Sequence, residues 1–260
     1  MSTPAPLLVW EGHLAVYRKI WKSHVFGAFV QPVLYLLGMG VGVGALVDDD
    51  PASISSLGGV SYLAFLAPAL LATTAMMSGG QTSLWEVADG FLWSNRYRAM
   101  SATPVAPREI ATGLALWHAT RTAIVVGAMT LVLTLFDETR SWGLLLAAPV
   151  AVLTGLAFAM PISAWSSTRR SGAWCTSIIR FALIPMFLFG GAFFPIEQLP
   201  GWLQPVAHVT PLYHGIELCR GFVFVEVEPG SLPLHLAVIT AYVAAGTVAC
   251  RATFTRRLRS

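Results

Sequence analysis

The chain is 260 residues long, 55% hydrophobic and only 11% charged, with 16 Lys+Arg against 13 Asp+Glu. Its mean hydropathy is +0.67. Soluble domains carry close to a quarter charged residues, so this chain has too little polar surface to cover a water-exposed globule, and its hydrophobicity equally excludes a disordered chain. A net charge of +3 is too small for a nucleic-acid footprint, and no nucleic-acid partner is expected.

In chain order, the first element lies before the first long apolar run. Trp10, Leu14, Tyr17 and Trp21 recur at +4, +3 and +4, beside Arg18, Lys19 and Lys22. This spacing puts four large apolar groups on one helical stripe and predicts an amphipathic helix in the membrane interface, with its bases toward anionic lipid. The plainer alternative is an extension of the first span. Residues 1–22 are therefore set apart as a cytoplasmic N-terminus, followed by a single transmembrane domain over 23–260.

A helix needs about 20 apolar residues to cross a ~30 Å hydrocarbon layer, so charge-free runs mark the spans. Ser23–Val47, Pro51–Trp85, Ser141–Thr168 and Pro229–Cys250 carry no Asp, Glu, Lys or Arg, and Ile110–Phe136 and Ser171–Ile196 are each broken by one arginine, Arg121 and Arg180. The expected fold is all-α and polytopic, with six transmembrane helices at about 24–47, 58–82, 112–136, 142–166, 174–195 and 231–253. With the N-terminus inside, twelve basic residues fall in inner segments and two, Arg140 and Arg220, in outer ones, while nine of the thirteen acids lie outside. The positive-inside rule then places both termini in the cytoplasm.

Within the first span, Gly38, Gly40, Gly42 and Gly44 form two overlapping G-x-x-x-G pairs that let backbones approach closely. The largest inner loop, Leu84–Glu109, begins as a short amphipathic helix with Val87, Phe91, Ser94 and Arg98 on one face. Ser101, Pro104 and Pro107 then end it, since proline cannot continue a helix. A structured loop of this size suits docking of a partner.

Arg121 and Arg180 lie ~8–9 Å from the inner edge by helical rise. Two readings are open: snorkelling to inner headgroups, or contact with an anionic substrate entering from the inner leaflet. A further uncharged run, Gln198–Ile216, carries Pro200, Gly201, Gln204, Pro205, His208, Pro211 and His214. It is too broken and polar for a lipid-exposed helix and reads as an extracellular re-entrant segment between spans five and six. His214, Glu217 and Arg220 follow one another at +3 and +3, so they face one another along a helix.

Absences bear on function as well. The expected spans contain no Asp or Glu, His118 is the one proton-relay candidate among them, and there is no H-E-x-x-H, paired Cys/His set or Ser/His/Asp group at membrane depth. Cys175, Cys219 and Cys250 offer no pair on one oxidising side. No Gly-Lys pair exists in the chain, so the phosphate-cradling loop G-x-x-x-x-G-K-[ST] cannot form. Ser78-Gly79-Gly80-Gln81 imitates a cassette signature tetrapeptide, but it lies at the end of a span and reads as small-residue packing.

The most specific text is Phe189–Arg220, which contains Phe193, Phe194, Pro195, Leu199, Pro200, Pro211, Leu212, His214 and Arg220, supported by Gln31, Pro32, Tyr35, Gly38 and Gly42 upstream and Thr103-Pro104-Val105 in the loop. This pattern resembles the type-2 permease subunit of ATP-binding-cassette exporters, the group with daunorubicin-resistance and nodulation lipo-oligosaccharide export permeases. The resemblance implies a multi-pass permease in the plasma membrane of a bacterium, not an enzyme, exporting an amphiphile such as a drug, lipid or lipid-linked saccharide.

By the same resemblance, this chain binds no cofactor, and ATP and Mg act through cytosolic ATPase subunits. A second permease copy or a related permease completes the path, with membrane lipids around it. Trp85, Glu86, Phe91, Trp93, Arg96 and Arg98 are the expected ATPase-coupling residues. Trp10, Leu14, Tyr17 and Trp21 form the interfacial helix, and Pro195, Pro200, Pro211, His214, Glu217 and Arg220 form the motif near the exit. A membrane-embedded lipid-modifying enzyme and a scaffold that recruits a cytosolic ATPase are the competing readings.

Overall fold

A computed structural model describes residues 3–224 and 230–259, with backbone alone at 23–29, 31 and 32. Among these the secondary structure is entirely helical. Helix α1, Ala5–Tyr35, runs without interruption into a π-helical segment, Leu36–Val43, and a last α-helical turn, Gly44–Val47. The expected N-terminal helix and first span are thus one helical run with no break at residue 22. Gly40 and Gly44 face Leu63 and Tyr62, whereas Gly38 meets nothing within 4 Å. One of the two glycine pairs therefore packs within this chain.

Polar side chains fix the short helix α2, Pro51–Ser56, and the start of α3, Tyr62–Ala88. Asp50 caps α2 by accepting from the N–H groups of Ala52 and Ser53. Asp48 accepts from the Tyr62 N–H at 2.8 Å, and Ser61 caps α3 while donating to Glu138 at 2.7 Å. These side chains satisfy N–H groups that a helix start leaves open.

Helix α3 is the most enclosed element and continues through a π-helical turn, Asp89–Trp93, before α4, Arg96–Ser101. Helix α5 is Pro107–Leu133, with its proline at the first turn where no N–H is needed, and α6 is Gly143–Ser166. Gly79 of α3 lies directly on the Gly155 carbonyl of α6, and a Cβ on Gly155 would stand 2.9 Å from the Ala75 carbonyl oxygen. The Ser78–Gln81 tetrapeptide is part of this close helix crossing.

Helix α7 spans Ala173–Phe189 with a π-helical turn at Ile179–Leu183, and it ends in a turn where Gly191 takes φ +85. The short α8, Gln204–Val209, and α9, Pro211–Phe224, follow. Helix α9 lies along α6: Gly215 is against Thr154, Cys219 Sγ points at the Ala147 carbonyl at 3.7 Å, and Phe222 covers Gly143. The last helix, α10, is Leu232–Arg259 and buries one narrow stripe, Ile239, Gly246, Cys250 and Phe254. At Gly246 a side chain would meet Pro161.

Four of these helical stretches are long and apolar enough to cross a membrane: Tyr62–Trp93, Pro107–Leu133, Gly143–Ser166 and Leu232–Arg259; Val33–Val47 and Ala173–Phe189 are apolar but shorter. The first and fifth expected spans fall on these shorter pieces. The fifth stops at Phe189 because Gly190 and Gly191 turn the chain there.

The main core joins α3, α5, α6, α7 and α9. A second core gathers Val9, Tyr17, Val87, Phe91, Tyr97, Ile110, Leu114, Trp117, Met160, Cys250 and Phe254 at the end of the bundle that carries α4. Trp117, Phe158, Met160 and Phe187 are buried packing groups.

Candidate functional site

The second core is built around one carboxylate. Glu86 sits in the last turn of α3, where its side chain faces α5. The Trp117 indole N–H donates to both Glu86 oxygens at 2.9 Å, and Arg121 donates to Oε1 at 3.0 Å. His118 Nδ1 lies 3.8 Å from Oε2, while its Nε2 meets Ser163 Oγ of α6 at 3.3 Å. The Glu86 and Arg121 side chains are 19% and 18% exposed, so the ion pair is largely withdrawn from solvent. Arg121, expected to reach headgroups or a substrate, is held by a carboxylate of its own chain. Glu86 lies beyond the expected second span, 58–82, but the helix continues through it, seven residues before the π-turn ends at Trp93.

Helix α1 closes over this group. His13 stacks on Trp117 at 5.8 Å, Tyr17 meets the same ring edge-on at 5.4 Å, and the Arg121 guanidinium lies 5.9 Å from the Tyr17 ring. Trp10 donates to Thr120 Oγ1 at 2.9 Å, and Gly113 admits Pro6 and Val9 at 2.6 Å from where its Cβ would stand. The buried line on α1 is Val9, His13 and Tyr17, with Trp10 and Leu14 half-buried and Trp21 exposed. The expected stripe is therefore rotated, because a histidine occupies its centre. Burial holds the His13 pKa down at about 4, which keeps the ring neutral against Trp117.

The loop after α3 divides the expected coupling residues. Phe91 packs on Tyr97 and Phe254, and Arg96 is 3.8 Å from Asp89. Trp85, Trp93 and Arg98 are exposed, with the two indoles stacked at 6.4 Å. Val87, Phe91, Ser94 and Arg98 do not share a face as the spacing suggested. A π-turn ends at Trp93 and Asn95 takes φ 51, a left-handed position that asparagine tolerates, and together they reset the helical phase. Gly90 is required here because the Tyr97 ring fills the place of its Cβ. Burial raises the Tyr97 phenol pKa. Arg257 of α10 completes the end, stacking 4.1 Å over Phe91 and donating to the Ser167 carbonyl.

The opposite end is organised by Arg220. Its Nη2 donates to the carbonyls of Gly191 at 2.8 Å and Ala192 at 3.3 Å, Nε reaches Phe65 O at 3.5 Å, and the guanidinium lies 3.7 Å over the Phe65 ring. Glu217 is 3.5 Å away. Burial lowers the Arg220 pKa to about 10, against the raising influence of Glu217. The arginine of the motif thus caps the glycine turn that precedes F-F-P.

His214, expected to face Glu217 and Arg220, instead meets His235 of α10, Nδ1 to Nδ1 at 2.8 Å, so one ring donates and the other accepts. Pro211 starts α9, Pro195 precedes a 3₁₀ turn at Ile196–Gln198, and Pro200 follows it. Arg180 is exposed in the π-turn of α7. Gln31 and Pro32 lie outside the described side chains.

No alternation of donors and acids in the sequence announces the Glu86 centre. Its one legible sign was His13, a polar residue four positions before Tyr17 on an apolar stripe. Among the described residues no group of three His, Cys, Asp or Glu side chains is placed to hold a metal.

Helical throughout the described residues and with four membrane-length apolar helices, the chain has the make-up of a membrane protein. The family model for the ABC-2 type transporter matches residues 7–224, and the chain belongs to that family. It is 29% identical to Nodulation protein J of Rhizobium leguminosarum bv. viciae over 97% of this chain and 94% of that protein. It is 30% identical to Nodulation protein J of Rhizobium leguminosarum bv. trifolii over 82% and 79% of the two chains. The Inner membrane transport permease YadH of Escherichia coli (strain K12) is 23% identical over 93% of this chain and 91% of that protein.

Proposed function

We propose that this chain is the membrane-spanning subunit of an ATP-driven exporter, moving an amphiphile out of the cell while a separate cassette ATPase hydrolyses ATP with Mg. Family membership supports the transport class, and permeases of this family normally work with an ATP-binding subunit. The absence of a phosphate cradle from the sequence agrees with ATP binding elsewhere. The membrane in this reading is the plasma membrane of a bacterium, with both termini inside. Two permease copies, or this chain and a related permease, enclose the path. The segment between α7 and α10 forms a re-entrant cap near the exit.

One observation carries the coupling part of this reading. The exposed Trp85, Trp93 and Arg98 belong to a loop whose buried side, Glu86, Phe91 and Tyr97, is fastened to α1, α5 and α10. A push on the exposed side by a closing ATPase would reach three helices at once, and ATP-driven closure would then supply the differential affinity that shifts the permease between conformations. Arg180, exposed in α7, remains available to an anionic amphiphile entering from the inner leaflet.

Co-purification from membranes tests the assignment. The chain should carry a cassette ATPase with it, and Trp85→Ala/Trp93→Ala should reduce that association and ATP-dependent efflux together. Turnover of lipid by the purified chain alone would point instead to an enzyme. ATPase binding with unchanged efflux on deletion would point to a scaffold.

A further inference from the structure

The turn between α6 and α7 holds an arrangement that the coupling centre does not use. Arg169 is set between two indoles: its guanidinium lies 4.4 Å over the Trp165 ring and 5.8 Å from the Trp174 ring. Its Nε is sealed from solvent and meets no hydrogen-bond partner among the described residues. Arg170 follows it in the same turn. Arg96, Arg121 and Arg220 each have a carboxylate within 4 Å. Among the described residues, Arg169, Arg170 and Arg180 have none. The Arg169–Arg170 turn therefore sets two adjacent guanidinium groups, neither with a carboxylate partner among the described residues, beside two indoles.

The surroundings specify the anion further. Trp174 is 52% exposed and Phe181 is 81% exposed. Ile184 and Leu188 are exposed further along the helix, so α7 presents large apolar side chains beyond the arginine pair. Tryptophan flanking a basic turn at the end of an apolar helix is the arrangement that favours the headgroup layer. A guanidinium placed 4.4 Å over the Trp165 ring has little freedom left to lose on binding, and its fork matches phosphate oxygens.

We propose that the Arg169–Arg170 turn, with Trp165 and Trp174, binds the phosphate of one anionic phospholipid whose acyl chains lie along the exposed apolar side chains of α7. These side chains favour a lipid over an acidic protein surface, since a protein partner would need no acyl-chain track. The inference rests on the chain being a membrane protein and does not depend on the direction of transport or on the ATPase.

Native mass spectrometry of the full chain in detergent provides the test, with phosphatidylglycerol or phosphatidylcholine added. Phosphatidylglycerol should bind about tenfold more tightly than phosphatidylcholine, and Arg169→Gln should remove about that factor. Arg140→Gln, an exposed arginine at the other end of α6, should leave it unchanged. Arg169→Lys, which retains charge but not the stacked fork, should fall between, and it serves as the measured variant should Arg169→Gln not fold. Equal binding of the two lipids overturns the proposal, as does unchanged phosphatidylglycerol binding in whichever Arg169 variant folds. Displacement of the lipid by millimolar inorganic phosphate would make this a free-phosphate site and overturn the lipid source. Loss of a co-purifying protein with lipid binding intact would make it a protein contact and likewise overturn it.

Discussion

Glu86 and Arg121 stand 35 positions apart in the chain and 3.0 Å apart in the structure, with the Trp117 indole shared between the same carboxylate oxygens. The pair fastens the end of α3 to α5 at the level where α1 covers both. Its replacement should be costly in a graded way. Glu86→Gln keeps an acceptor for Trp117 and should lose about 1–2 kcal/mol. Glu86→Ala strands both donors and should lose about 2–4 kcal/mol. Thermal unfolding in detergent measures the order, and an alanine variant as stable as the parent would contradict this placement of Glu86.

Gly90 and Tyr97 form the second testable contact, because the phenol ring occupies the space of a Cβ at position 90. Gly90→Ala should destabilise the loop by about 1–3 kcal/mol through overpacking. Adding Tyr97→Leu should recover part of that loss, since the smaller side chain vacates the site. Additive effects of the two substitutions in a double-mutant cycle would argue against direct contact.

Arg220 explains why an arginine belongs six residues after His214 in this sequence. Its fork ties the Gly191 and Ala192 carbonyls to α9. Arg220→Lys preserves charge but offers no planar fork. Hydrogen exchange across residues 190–203 should rise several-fold in this variant, reflecting about 1–2 kcal/mol of lost local stability. Unchanged protection there would remove Arg220 from its capping role.

The apolar runs behind four membrane-length helices and two shorter ones, and the motif ending in Arg220, were legible because hydropathy and short spacings are local properties. The Glu86–Arg121 pair was not, since its members come from different helices and only the packing of α3 on α5 joins them. His214 was read against Glu217 and Arg220 for the same reason: i, i+3 geometry is visible in sequence, whereas His235 on α10 is not. The loop face drawn through Val87, Phe91, Ser94 and Arg98 failed at Asn95, where one left-handed residue changes the phase of everything after it. Spacing put Trp10–Trp21 on a helix, which the structure makes continuous with the first span, and its buried edge follows His13, a polar residue that hydropathy assigns to solvent.

His13 gives the fold a pH dependence with a definite sign. Burial holds its folded-state pKa at about 4, below the ordinary 6.5. The unfolded chain therefore binds the extra proton first as pH falls. This contribution is complete above about pH 6.5, declines as pH falls toward 4, and amounts to at most about 3 kcal/mol. His13→Phe keeps an aromatic ring on Trp117 and should flatten the part of the stability–pH slope between 4 and 6.5 that His13 supplies. An unchanged slope in that window would contradict a neutral buried His13.

Trp93 and Trp142 offer the most direct measurement of the proposed coupling. They lie at opposite ends of the bundle, 57% and 87% exposed: Trp93 follows α3 beyond Glu86, and Trp142 sits just before α6, near the Glu138 that holds the start of α3. The three native cysteines are buried, so a cysteine at either tryptophan is the accessible one for a thiol cross-linker. In native membranes containing the ATPase subunit, Trp93→Cys should form an adduct with that subunit and Trp142→Cys should not. Cross-linking from position 142, or from neither position while the two subunits still co-purify, would contradict docking at the loop that carries Trp85, Trp93 and Arg98.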